Sequence, residues 1–172
     1  MLVIIPFVFC QKKPTIDFYA ENITIEIDKS RARVSGTYFF ENLTPYPKRI
    51  KFYYPFPVDS LHSYPDTILL AHPYEKDSTG IHFAMSIGPK NIDSFKIVYE
   101  QKLKRNQFRY ITTTTKKWQR PIKEARFTIV SPQDLSPQIN YHIAKEETIA
   151  NKCYYFIIQK EFYPGEDLII KW

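Results

Sequence analysis

The sequence predicts an all-β fold: a single antiparallel β-sandwich of about ten strands. Three observations carry that expectation. Apolar and polar residues alternate with period two through most of the chain. No segment shows a 3.6-residue apolar stripe long enough for an amphipathic helix. Turn residues, above all Pro, Asn and Asp, recur at short, regular intervals between the alternating runs.

Taken in order, Asn22–Ile27 alternates without a fault, and Asp28-Lys29-Ser30 reads as a turn. Ala32, Val34, Tyr38 and Phe40 then face away from Arg31, Arg33, Ser35 and Thr37, as in a half-buried partner strand. Asn42-Leu-Thr-Pro-Tyr-Pro47 breaks the pattern. An Asn side chain there bonds nearby backbone, as turns require. Phe52, Tyr54 and Phe56 share the next inner face, and Pro55 and Pro57 close that strand. Further strands are expected over 67–71, 81–87, 93–103 and 108–115, the last two joined through Lys104-Arg105-Asn106. Ala125, Phe127 and Ile129 point inward from 124–130. Strands over 139–143, 153–162 and 167–172 complete the set, with Tyr163-Pro-Gly-Glu166 as the final turn. Residues 17–172 form one domain, without repeat or linker.

Composition removes several enzyme classes. The 172 residues include 13 Phe, 13 Tyr, 2 Trp and 13 Pro, but only 4 Gly. Phosphate cradles need clustered glycines that let backbone N–H groups approach the ligand. Here the nearest pair is Gly80 and Gly88, so Walker loops, dinucleotide fingerprints and nucleophile elbows are absent. The four histidines, His62, His72, His82 and His142, form no ligating motif, so no metal or other cofactor is expected. Glu146-Glu147 and Glu166-Asp167 lie near turns and read as solvated charge rather than a glycosidase pair. No catalytic residue is assigned, and the chain is expected not to be an enzyme.

The formal net charge is +6. Its densest stretch is Lys116, Lys117, Arg120 and Lys123, around Trp118. Trp118, with Pro121 behind it, is placed over the open end of the sandwich. Tyr53 and Tyr155 fall opposite their inward neighbours and are expected to face outward. Exposed rings can stack on sugars or bases. The candidate binding residues are therefore Tyr53, Tyr155, Trp118, Lys116, Lys117 and Arg120.

Residues 1–10 are almost wholly apolar and end in Cys10. The run is too short to cross a bilayer. It has the layout of a lipoprotein signal whose basic leader would lie upstream of Met1. Cys10 is then the lipidated residue, with Phe9 standing where a small residue is usual. If Cys10 is lipidated, Cys153 is an unpaired, buried thiol; if not, the two can form a disulfide in an oxidising compartment.

Three segments carry a resemblance. Val34-Ser-Gly-Thr-Tyr-Phe-Phe-Glu-Asn-Leu-Thr44 with Tyr54-Pro-Phe-Pro57 is similar to the opening of uncharacterised bacterial extracytoplasmic β-sandwich proteins, many of them lipoproteins by sequence. Thr114–Phe127, containing Trp118-Gln-Arg-Pro-Ile122, and Phe162-Tyr-Pro-Gly-Glu-Asp-Leu-Ile-Ile170 resemble later elements of such proteins. The first segment also resembles the VIT domain of inter-α-trypsin inhibitor heavy chains, a non-enzymatic sandwich. The resemblance implies a cell-envelope binding or assembly module, attached to the membrane through a lipid on Cys10, with a protein or glycan partner. Nucleic acid is not expected outside the cytoplasm. The alternatives are a soluble carbohydrate- or oligonucleotide-binding domain using exposed Tyr, and a hydrolase with a site built across strands.

Overall fold

The computed structural model describes residues 14–172. Among them are thirteen strands and one 3-10 turn. The strands are β1 (Ile16–Ile27), β2 (Arg31–Asn42), β3 (Lys48–Pro55), β4 (Thr67–Leu70), β5 (Tyr74–Lys76), β6 (Gly80–Ile87) and β7 (Ile92–Lys102). They continue with β8 (Gln107–Tyr110), the 3-10 turn Thr113–Trp118, β9 (Ile122–Pro132) and β10 (Gln138–Ile139). The last three are β11 (Lys145–Ile149), β12 (Lys152–Phe162) and β13 (Leu168–Lys171).

All-β is therefore correct, and the single sandwich of ten antiparallel strands is not. The strands divide among three sheets. One has seven strands in the order β11-β12-β9-β1-β2-β7-β4, and two have three each, β3-β6-β5 and β10-β13-β8. One pairing is parallel: β1 runs beside β9, with Ala20 opposite Glu124 and Glu26 opposite Val130. Local alternation cannot reveal this, because it reports a strand's faces and not its neighbours.

The two small sheets pack on the inner face of the large one. Phe40 of β2 meets Phe52 of β3 with ring centroids 4.7 Å apart, and Phe95 of β7 meets Phe83 of β6 at 4.8 Å. On the other side, Tyr110 of β8 meets Phe127 of β9 edge-on at 6.1 Å. Phe52, Tyr54 and Phe56 are buried together, as are Ala125, Phe127 and Ile129. Tyr155 is a correction: it is buried beside Ile157 on the inner face, not outward. Cys153-Tyr-Tyr-Phe-Ile-Ile158 is apolar at both parities, so alternation there has no phase to read.

Two turns are set by distinct means, one by a side chain and one by backbone twist. Asn42 is wholly buried at the end of β2. Its Nδ2 donates to the carbonyls of Tyr46 (2.7 Å), Gly88 (2.9 Å) and Ile87 (3.3 Å). Its Oδ1 accepts from the Thr44 N–H at 3.0 Å and the Thr44 hydroxyl at 2.8 Å. Between β11 and β12, Ala150 and Asn151 both take positive φ, 45° and 64°, the twist that suits a two-residue hairpin.

The expected strand over 108–115 stops at Tyr110. Beyond it, the Thr112 and Thr113 N–H groups and the Thr113 hydroxyl all donate to Asp167 Oδ1, at 3.1, 3.1 and 2.8 Å. Asp167 is thus a structural anchor and not a solvated charge; its side chain is only 14% exposed. Arg109 clamps it from the side, reaching Asp167 at 3.2 Å and Asp59 at 2.9 Å. Asp59 in turn holds buried His62, whose Nε2 accepts from the Arg109 N–H at 3.1 Å. His62 Nδ1 therefore carries the ring proton and donates it to Asp59 Oδ1 at 2.8 Å.

Candidate functional site

An aromatic-lined space lies where the two small sheets meet above the large one. It is a cavity of about 310 Å³, within the size range of small-molecule sites. Its floor is polar. Tyr38 of β2 is a hydroxyl hub, 2.7 Å from the Tyr54 hydroxyl and 2.6 Å from the Tyr110 hydroxyl. Since Tyr54 and Tyr110 belong to different small sheets, these two bonds tie both sheets to the large one. Burial pushes all three phenols well above their ordinary titration range, so they are neutral donors.

The hub depends on a glycine. Gly36 lies two residues before Tyr38 on the same face, and a Cβ there would meet the Tyr38 ring at 2.7 Å. The ring can lie back over β2 only because that position is bare. Tyr38→Phe is expected to cost about 2–3 kcal/mol, because both flanking phenols stay buried and lose their common partner. Urea denaturation measures this; a loss below about 0.5 kcal/mol would show that the trio is not a unit.

Beside the hub is Glu21. A bulge in β1 between Phe18 and Ala20 takes up one residue, so that Phe18 and Glu21 both point inward. Glu21 pairs across the sheet with Tyr38 on one side and Ala125 on the other. It is 2% exposed, and its Oε1 has no hydrogen-bond partner among the described residues. Burial pushes its carboxyl up to about 8. At neutral pH it is therefore mostly protonated.

The walls are rings. Phe18 stacks on Phe40 at 4.7 Å, and Tyr38 stacks on Phe95 at 4.9 Å. Trp118, on the 3-10 turn that Asp167 anchors, closes the space from above, with centroids 5.3 Å from Phe40 and 6.1 Å from Phe18. Gln119 ends that turn in the left-handed region at φ 58°. At the rim, Lys117 lies 6.0 Å from the Tyr53 ring, with Lys51 beside it.

The structure thus brings three of the sequence candidates, Tyr53, Lys117 and Trp118, to one opening. Tyr53 is held there by its hydroxyl, 2.7 Å from Thr79 Oγ1, and by His82 packed on its ring. Lys116 and Arg120 are exposed on the same segment but do not line the cavity. Tyr155 lies on β12, away from the cavity. Cys10 lies outside the described residues, as does any bond it makes to Cys153. Among the described residues no three His, Cys, Asp or Glu side chains gather as a metal site. Glu21, Tyr38, Tyr54 and Tyr110 were not among the sequence candidates. One signal was available: Glu21 is in phase with Ile23, Ile25 and Ile27, a carboxylate on an apolar face.

No family model and no curated protein matches this chain. Solved structures do. A candidate nutrient binding protein of Legionella pneumophila superposes with a TM-score of 0.70 at 12% identity, over 91% of this chain and 66% of that one. An M1 zinc metallopeptidase of Deinococcus radiodurans gives 0.57 at 10% identity, over 92% of this chain and 43% of that one. Aminopeptidase A of Legionella pneumophila, solved with aspartic acid, gives 0.50 at 12% identity over 94% of this chain and 22% of that one. The chain spans less than two thirds of each of these proteins. At such identities the likeness is one of fold.

Proposed function

We propose that this chain is a non-enzymatic binding module whose ligand is a small, largely apolar molecule held in the aromatic cavity under Trp118. The observation that supports this reading is the cavity's composition: stacked rings on the walls, and a few convergent polar groups on a closed floor. The binding role attached to the Legionella protein with the same fold is consistent with it. Stacking of sugars or bases on an outward tyrosine platform is less well supported, because Tyr155 is buried and, of the two expected rings, Tyr53 alone is exposed.

The proposed setting is the bacterial cell envelope, with a lipid on Cys10 holding the module at the membrane. Its support is the apolar run ending in Cys10 and the resemblance to extracytoplasmic sandwich proteins. A lipoprotein carries more than one acyl chain, enough for stable attachment.

The ligand reading is tested with Trp172→Phe protein, in which Trp118 is the remaining tryptophan. Titration with one- and two-ring aromatic compounds should change its fluorescence saturably, at micromolar to millimolar concentrations. Ile111→Trp, which puts a larger ring into the cavity lining, should weaken binding of the tightest compound at least tenfold, read by calorimetry. A flat response across the set refutes the cavity reading.

A further inference from the structure

We infer that the cavity selects an organic ammonium ion, with Glu21 as its counter-ion and the surrounding rings as its cage. The inference rests on the cavity reading and adds the chemical class of the ligand. Three features of geometry carry it. Glu21 lines the cavity, and its Oε1 is buried with no hydrogen-bond partner among the described residues; buried polar groups are rarely left so. The cavity around it is lined by rings and phenol hydroxyls: Tyr38, its partner on β2, Tyr54 on β3, Tyr99 on β7 and Tyr110 on β8; the Tyr141 phenol also feels its charge. Ring faces attract cations most strongly where water is excluded. Among the described residues no Lys or Arg reaches the floor, so none of them supplies the counter-charge. The positive groups of the site, Lys51 and Lys117, are exposed at the rim, where solvent and salt screen them.

Empty, the site keeps Glu21 protonated, since burial favours the neutral acid. An entering ammonium supplies the positive charge that makes the carboxylate stable. Binding then proceeds with loss of the Glu21 proton to solvent: neutral acid plus ammonium gives a carboxylate–ammonium pair and one released proton. Below pH 8 the ammonium should therefore bind more tightly as pH rises. The phenols facing Glu21 stay neutral across that interval. Near pH 8 the gain levels off, because Glu21 no longer has a proton to lose.

The probes are 2-phenylethylammonium and its neutral isostere 2-phenylethanol, measured by calorimetry against the whole chain. At pH 8 the ammonium should bind at least tenfold more tightly than the alcohol. Its affinity should rise more than tenfold from pH 6 to pH 8, while that of the alcohol stays level or falls slightly. At pH 7 two buffers of different ionisation enthalpy should report release of close to one proton per ammonium bound. Glu21→Gln should remove the preference and the proton release together, and should still bind the alcohol. If the alcohol binds as tightly as the ammonium at pH 8, or no proton is released, the counter-ion role is wrong while the cavity reading stands. If neither compound binds, both fall.

Discussion

Glu21→Gln should stabilise the domain by about 4–5 kcal/mol above pH 8 and change it little below pH 4.5. The carboxyl is pushed from 4.5 in an unfolded chain to about 8 in the fold. Below the lower value both states hold the proton, and Glu differs little from its amide. Between the two, the unfolded chain releases the proton and the folded chain keeps it. Stability therefore falls with rising pH, by up to about 1.4 kcal/mol per unit. Above the upper value both states are ionised and the full penalty has been reached. Gln cannot ionise, so its stability curve should be flat over the same interval. Urea unfolding at pH 5, 7 and 9 measures this. Parallel curves for the two proteins would mean that Glu21 is solvated or already paired. Ligand narrows the difference: a saturating ammonium should stabilise the wild-type chain more than the amide variant. Functional sites commonly hold residues that lower stability, as the proposed role of Glu21 requires.

Asn42→Ala should cost about 3–5 kcal/mol. Its amide satisfies three carbonyls from two segments, and its oxygen holds two donors of Thr44, all from a fully buried position. Alanine leaves these carbonyls facing one another with no donor between them. Asn42→Asp has the same shape and should be worse at neutral pH, because a carboxylate would face the oxygens of Tyr46, Ile87 and Gly88. Thermal unfolding ranks the three proteins. An order in which Asp matches Asn would show that water has entered the turn. Asn42-Leu-Thr44 also has the form of an N-glycosylation acceptor, and burial keeps its amide out of reach in the folded chain.

How much could be read in advance varies with the kind of information. Inner faces such as Phe52-Tyr54-Phe56 were legible because a pleated strand alternates. The division into three sheets was not, because Phe83 and Phe127 look alike in sequence and only tertiary contact separates their sheets. Thr112–Thr115 has strand propensity, yet Asp167 draws its backbone donors into a turn from far along the chain. That turn places Trp118, so the roof of the cavity rests on a long-range capping bond. The rim was legible in part, since Tyr53, Lys117 and Trp118 are conspicuous residue types. On the floor, Glu21 was readable as a carboxylate in phase with Ile23, Ile25 and Ile27, but the hydroxyl contacts of Tyr38, Tyr54 and Tyr110 join three sheets and have no local signal.

The parallel pairing of β1 with β9 also governs the order of assembly. Once β2 has been made, β1 has one neighbour, but its other edge stays open until β9 arrives much later in the chain. Closure of so distant a pair is intrinsically slow. During that interval the free edge of β1 is a template on which another chain could add a strand. Glu21 stands on that edge. In an unfinished chain at neutral pH it is ionised, and an inward-facing charge resists such addition.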